Sequence, residues 1–211
     1  MDALEVLALQ KPPCSQSSSP RPSYTRTPGR RRTPLLYCSD DAPGLHKALK
    51  AVWPRALAQK CQVHKLRNIL SKLPRGVQGE IKKQILKVFE AKSYEDGLRR
   101  GKELISEYED RYPRAMECLA KSLEECLTCL RLPESHRRRV RTTNALERLI
   151  EEGRRRTKVI SSMPDERAGL SLIHAVLVDV SRRWHGLRIT PADLEKLNAL
   201  RAEVVPLAAS A

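Results

Sequence analysis

Apolar positions along this chain recur at changing periods, and the changes predict its elements. Leu35-Leu36-Tyr37-Cys38 is a short unbroken apolar run and predicts a buried strand. Leu45, Ala48, Leu49 and Val52 follow at i, i+3, i+4 and i+7, the spacing of one helical face, and Pro54 ends that helix. Cys61-Gln62-Val63 reads as a second short strand. It leads into a helix with Leu66, Ile69, Leu70 and Leu73 on one face. Three further helical stretches are expected. The first, 76–91, carries Val77, Ile81, Ile85 and Val88, the second covers 94–112, and the third, after Pro113, carries Met116, Leu119, Leu123, Leu127 and Leu130. Pro133 closes this helical block.

Beyond it, Asn144 is suited to cap a helix bearing Leu146, Leu149 and Ile150. The stretch 164–184 places Leu170, Ile173, Leu177, Val180 and Trp184 on one inner face, with His174 and Trp184 read as packing residues and Trp53 as another before Pro54. Thr190-Pro191-Ala192-Asp193 combines a capping Thr, Pro at the first helical position and a carboxylate at the third. Residues 11–34 are rich in Pro, Ser and Arg and lack apolar periodicity. The segment 1–34 is therefore expected to be disordered or unrelated to the folded part.

Composition narrows the class. With one Phe, two Trp and five Tyr in 211 residues, the core must be aliphatic, which suits helices. Forty Lys and Arg against 25 Asp and Glu leave a net charge of +15, pointing to a polyanionic partner, because each phosphate neutralised releases a counterion. No run reaches about 18 apolar residues, so no membrane span is expected. The six cysteines form no regular framework and no secretory leader is legible. A cytoplasmic, nucleoid-associated protein with reduced thiols is the expectation.

Two constellations carry candidate chemistry. Asp40 follows a predicted strand and precedes a helix, a position that suits either a metal ligand at a sheet edge or a helix cap; Asp41 beside it is a weaker candidate. Glu147 lies in the first turn of its helix, where the helix dipole favours a carboxylate and where it is also placed to complete a metal site. Around it are Arg137, Arg138, Arg139, Arg141, Arg154, Arg155, Arg156 and Lys158, candidate DNA-phosphate contacts or simply a solvated charged face. Cys61-x-x-His64 would make a four-ligand zinc site if joined by Cys126-x-x-Cys129. The latter pair falls on a helical period and reads as core, so zinc is not expected.

The segments SDDAPGLHKAL, KCQVHKLRNIL and RTTNALERLIEEGRRRTKVI, in this order, resemble the Mutator-type transposases of bacterial insertion sequences, over positions 35–188. The resemblance implies an RNase H-like fold whose Asp-Asp-Glu triad binds two divalent ions, Mg²⁺ or Mn²⁺. Asp40 matches the second aspartate, Glu147 the glutamate, and Cys61 and His64 the family's Cys-x-x-His signature. It further implies a partial catalytic core at 35–75 and 133–188, an all-helical insertion at 76–132, and a C-terminal helix and tail at 189–211. The expected fold class is thus mostly α with a small remnant α/β sheet. The family usually has Gly where Asp41 stands. The first aspartate and its strands should precede Leu35, where Asp2 is a faint candidate. The expectation is an N-terminally truncated transposase for an insertion element, acting by metal-dependent DNA cleavage and strand transfer but catalytically crippled. Its partners would be double-stranded transposon ends and a second copy or a full-length transposase. The alternative is a non-enzymatic or zinc-stabilised helical DNA-binding fragment.

Overall fold

The computed structural model describes residues 33–40, 42–160, 162–182, 184, 186 and 188–204. Asp2, Asp41, Cys14 and nearly all of the 1–34 segment lie outside the described residues. The chain divides into two compact units, one of Thr33–Glu152 with His185–Ala211, the other of Met1–Arg32 with Gly153–Trp184.

The larger unit opens with a β-α-β unit: β1 (Leu36–Ser39), α1 (Pro43–Val52) and β2 (Leu57–Lys60). The strands pair in parallel with Leu36 opposite Leu57 and Ser39 opposite Lys60. Parallel pairing requires a crossover, and α1 supplies it. β2 lies earlier than the Cys61–Val63 strand that the sequence suggested. Cys61 instead sits at the N-cap of α2 (Gln62–Leu70) and extends the ladder by one backbone bond, its N–H donating to the Ser39 carbonyl at 2.8 Å. The segment Leu-Ala-Gln-Lys hides its strand character because the side chain it turns inward is Gln59, fully buried.

The stripe predicted on α1 is largely uncovered. Leu49 is buried, whereas Leu45 and Val52 are exposed and so is Ala48. Among the described residues the sheet has two strands, which offer little surface for a ten-residue helix to cover. His46 on α1 meets the Tyr37 ring edge-on and lies 3.4 Å from Glu125.

The helical block follows as α3 (Arg75–Phe89), α4 (Tyr94–Tyr108), α5 (Pro113–Ala120) and α6 (Leu123–Leu127), then a 3₁₀ turn (Thr128–Arg131). Here the periodicity reading holds: Ile69, Ile81, Ile85, Val88, Met116, Leu119, Leu123, Leu127 and Leu130 are all in one buried cluster. The single helix expected after Pro113 is broken at Lys121-Ser122. The break escapes the pattern because Leu119 and Leu123 face the core on either side of it. α4 and α6 approach so closely that a Cβ on Gly101 would fall 2.7 Å from Leu123 methyl carbons. Cys126 and Cys129 are core residues, as their helical spacing indicated.

α7 (Glu134–Val140) and α8 (Asn144–Thr157) come next. α10 (Pro191–Val204) carries the predicted capping box: the Asp193 N–H donates to Thr190 Oγ1 at 3.1 Å and the Thr190 N–H to Asp193 Oδ2 at 3.2 Å. The Thr190 N–H, followed by the Thr190 hydroxyl, shifts the Asp193 carboxyl below its ordinary value. In the smaller unit, α9 (Glu166–Ser181) is capped by Asp165, whose Oδ1 accepts from the Ala168 N–H at 2.6 Å. The inner face predicted for it is not the one it buries. Val176 is buried, whereas Leu170, Ile173, His174 and Trp184 are exposed. An almost continuously apolar helix offers several equivalent faces, so period alone selects none of them. Among the described residues no helix is long and apolar enough to cross a membrane.

Candidate metal centre and basic surface

Two helix starts and one strand end meet in the larger unit. β1 delivers Ser39 and then Asp40; the Ser39 carbonyl accepts from Cys61 at the start of α2. The thiol of Cys61, almost wholly buried, receives the backbone N–H and the hydroxyl of Thr143, each at 3.4 Å. The Thr143 hydroxyl also bonds Glu147 Oε1, and the Glu147 N–H donates to the Thr143 carbonyl at 3.0 Å. Thr143, one residue before the expected Asn144, therefore holds the start of α8. A further backbone bond from Gln62 N–H to the Arg141 carbonyl, 3.0 Å, draws this loop onto α2.

Asp40 and Glu147 are thus tied through Ser39, Cys61 and Thr143. The Asp40 carboxylate itself accepts from the Ala42 N–H at 3.2 Å, shaping the turn into α1. The N-cap of α1 is Ala42, which no side chain caps, so Asp40 shapes the turn ahead of the helix without taking the capping role weighed from sequence. Cys61, His64 and Glu147 form a tighter group, with one potential ligand atom from each within 4.8 Å of the others. His64 Nδ1 lies 3.7 Å from Glu147 Oε1 and is buried without a hydrogen-bond partner. This is the one such group of three His, Cys, Asp or Glu side chains among the described residues. Cys126 and Cys129 do not join it.

Those two cysteines belong to a different network. Gln59 Nε2 donates to the Cys126 carbonyl at 3.0 Å, and Gln59 Oε1 accepts from the Cys129 N–H at 2.6 Å. Gln62 Nε2 donates to the same Cys126 carbonyl at 2.8 Å. The last carbonyls of a helix lack intrahelical partners, and α6 ends at Leu127. The two glutamines answer that need and pin the sheet to the helical block. Burial pushes the Cys129 thiol up to about 11 and moves Cys38 up as well, so neither is poised as a thiolate. Sequence reasoning missed Gln59, Gln62 and Thr143. A Thr four positions before Glu147 was the visible signal for the last of these.

Of the basic residues, Arg137 is engaged within the fold. Its Nε donates to the Leu132 carbonyl at 3.0 Å and a terminal nitrogen donates to the Lys92 carbonyl at 2.9 Å. The charge run made it a candidate DNA-phosphate contact, but in the structure its guanidinium bonds two backbone carbonyls at the end of the helical block. Arg138 and Arg139 are exposed on α7, whereas Arg141 lies 4.0 Å from Glu90. Arg138 and Arg141 border a cavity of about 280 Å³, lined also by Gln62, Leu66, Phe89 and Glu90. Arg154, Arg155 and Arg156 occupy the last turn of α8 and are exposed, as is Lys158.

A divalent ion of the magnesium class wants hard oxygen ligands and uses one or two carboxylates with water and phosphate. Asp40, at the end of β1, and Glu147, in the first turn of α8, are of that donor type, but Asp40 is not among the side chains that converge. Cys61 and His64 are not of that donor type. Among the described residues no three carboxylates converge.

Residues 31–186 match the family model described as Transposase, Mutator family. The chain is 34% identical over 149 residues to the transposase for insertion sequence element ISRM5 of Rhizobium meliloti (strain 1021), covering 71% of this chain and 37% of that protein. It is 31% identical over 159 residues to the transposase for IST2 of Acidithiobacillus ferrooxidans, covering 75% and 54%. It is also 31% identical over 163 residues to the transposase for IS256 in transposon Tn4001 of Staphylococcus aureus, covering 76% and 41%. The matched part thus spans between about a third and a half of these curated relatives.

Proposed function

The chain belongs to the Mutator family of transposases, and from that premise we propose that it forms the metal-binding, DNA-facing part of an insertion-element transposase. In this reading β1, β2 and α8 belong to an RNase H-like core, 35–75 and 133–188, and 76–132 is a helical insertion. Asp40 and Glu147 hold Mg²⁺ or Mn²⁺. The observation that carries the reading is the hydrogen-bond chain uniting three motif segments far apart in sequence: Ser39-Asp40, Cys61 and Thr143-Glu147.

Each residue has a task in this scheme. Asp40 presents carboxylate oxygen from a strand end and Glu147 from the first turn of a helix. Thr143 fixes the Glu147 rotamer through its hydroxyl. Arg138, Arg139, Arg141, Arg154, Arg155, Arg156 and Lys158 bind phosphates of double-stranded transposon ends, positioning the duplex without reading bases. A bound ion would activate a water or DNA hydroxyl and neutralise charge on the phosphate in cleavage and strand transfer.

The two carboxylates assigned among the described residues are fewer than a two-metal site requires. In this reading the chain by itself binds DNA and metal without cutting, and acts alongside a second copy or a full-length transposase. The test uses the purified full chain with Mn²⁺ and a supercoiled plasmid carrying transposon ends. Expected are DNA binding and Mn²⁺ binding that Glu147→Gln weakens, with no nicking. Nicking abolished by Glu147→Gln would overturn the inactivity and point to Asp2 as a third ligand. Absence of both DNA and Mn²⁺ binding would sink the reading as a whole.

A further inference from the structure

We propose that Cys61, His64 and Glu147 form a binding site for a zinc-class divalent ion, which shares Glu147 with the carboxylate pair that would hold Mg²⁺. The three ligand atoms already lie within 4.8 Å of one another. A tetrahedral zinc ion with bonds of about 2.0–2.3 Å needs its ligand atoms roughly 3.4–3.8 Å apart. His64 Nδ1 and Glu147 Oε1, at 3.7 Å, are within a few tenths of an ångström of the spacing a nitrogen–oxygen pair needs. The remaining closure to zinc-bond geometry is a side-chain adjustment of about 1 Å.

The local fold explains why these three types meet. Cys61 is the N-cap of α2 and His64 lies in its first turn, three residues on, so the two fall on one side of the helix. Glu147 enters from the first turn of α8. His64 Nδ1 is a buried polar atom without a hydrogen-bond partner, and such an atom is costly unless something occupies it. An imidazole nitrogen beside a carboxylate and a thiol is a donor set that suits a zinc-class cation.

The surroundings suit a metal thiolate. Thr143 aims its N–H and hydroxyl at Cys61 Sγ, each at 3.4 Å, and donors of this kind stabilise negative charge on sulfur. His64 and Glu147 are partly exposed, 31% and 40%, which leaves a path for the ion to the buried sulfur. Binding balances simply. The Cys61 S–H bond breaks, its proton leaves to solvent, and the sulfur lone pair forms the bond to the metal. One thiolate and one carboxylate then neutralise the dication. Three protein ligands leave a fourth position for water.

The soft ligands select against Mg²⁺ and the geometry favours zinc. Because Glu147 is shared, an ion here withdraws it from the proposed magnesium site. That consequence rests on the proposed function; the zinc site itself does not.

The probe is Co²⁺, titrated into the full reduced chain and followed by absorbance, with Zn²⁺ as competitor. Expected are one tightly bound ion per chain, the visible bands of tetrahedral Co²⁺, and a near-ultraviolet thiolate charge-transfer band. Cys61→Ser should abolish that band, and His64→Gln and Glu147→Gln should each weaken binding at least about tenfold. Thr143→Val, an outer partner, should weaken it about 10–100-fold. The double variant Cys126→Ser, Cys129→Ser should keep the band. No band, a band surviving Cys61→Ser, or one lost in the double variant would overturn the site. Should Cys61→Ser fail to fold by circular dichroism, the partly exposed His64 decides: unchanged affinity in His64→Gln overturns the proposal. A Glu147-dependent Co²⁺ site in a chain that binds no Mn²⁺ would instead remove the magnesium reading alone.

Discussion

Thr143 presents two donors to the thiol of Cys61, 82 positions away, its backbone N–H and its hydroxyl each 3.4 Å from Sγ. The same hydroxyl bonds Glu147 Oε1. A hydroxyl carries one proton, so sulfur and carboxylate compete for it, while the backbone N–H serves Cys61 in either arrangement. One side chain thereby sets the positions of both a thiol and a carboxylate.

Replacing Thr143 by Val keeps the shape and removes the hydroxyl. The expected loss is about 1 kcal/mol of stability, the net worth of one intramolecular hydrogen bond. Thr143→Ser should retain most of it. Urea titrations of the three proteins measure this, and equal midpoints for Val and Thr would show that the hydroxyl contributes nothing.

Gln59 should matter more. It is fully buried, donates to the Cys126 carbonyl and accepts from the Cys129 N–H at 2.6 Å. In Gln59→Leu the Cys129 N–H is left buried and unpaired, at a cost of about 1–3 kcal/mol. Gln62→Leu should cost less through this network, because Gln59 also serves the Cys126 carbonyl. A double-mutant cycle should return a coupling of about 0.5–3 kcal/mol, since both glutamines share that acceptor. Strict additivity would show that they act independently.

DNA affinity should fall steeply with salt. Replacing Arg154, Arg155 and Arg156 by Ala should flatten the slope of log affinity against log salt by up to ~0.9 for each phosphate that is no longer neutralised. Arg137→Ala is expected to lower thermal stability, because its guanidinium is bonded to the carbonyls of Leu132 and Lys92. Filter-binding titrations at several salt concentrations separate the two. An unchanged slope in the triple variant would make that run a solvated face.

Stability should decline in alkali. Burial raises the folded-state pKa of Cys129 to about 11, above the usual free-thiol value of about 8.5. A raised pKa means that the folded state holds the proton more tightly. The contribution is therefore fully present below about pH 8.5 and is lost as pH climbs towards 11. Cys38, raised for the same reason, adds to the effect. Urea midpoints measured upward from neutral pH should fall over this window and fall less in Cys129→Ala. Equal pH profiles for the two proteins would remove Cys129 as the source.

Much of the helical architecture was legible from the chain alone. Ile81, Ile85, Val88, Met116, Leu119 and Leu127 announce their burial through spacing, because a helix must cover its apolar stripe. The Thr190–Asp193 capping box is a short-range arrangement, and four residues suffice to specify it. The strand at Leu36–Ser39 and the helix beginning at Asn144 were equally local signals. The motif segments, read by resemblance, also pointed to the family.

Tertiary structure decided the rest, and for one physical reason. Periodicity reports how much apolar surface an element must hide, but not which polar partner a buried group will find. Gln59 marks a strand only because Cys126 and Cys129, 67 and 70 positions on, end a helix beside it. The exposure of Leu45 and Val52 on α1, and of Leu170 and Ile173 on α9, depends on how much surface neighbouring elements supply. Cys61 and His64 meet Glu147, and not Cys126 and Cys129, because Thr143 and the Arg141 carbonyl pull the start of α8 onto α2. Those bonds span about 80 residues, a distance over which side-chain pairing is settled by packing of the whole unit and leaves no mark in the local pattern.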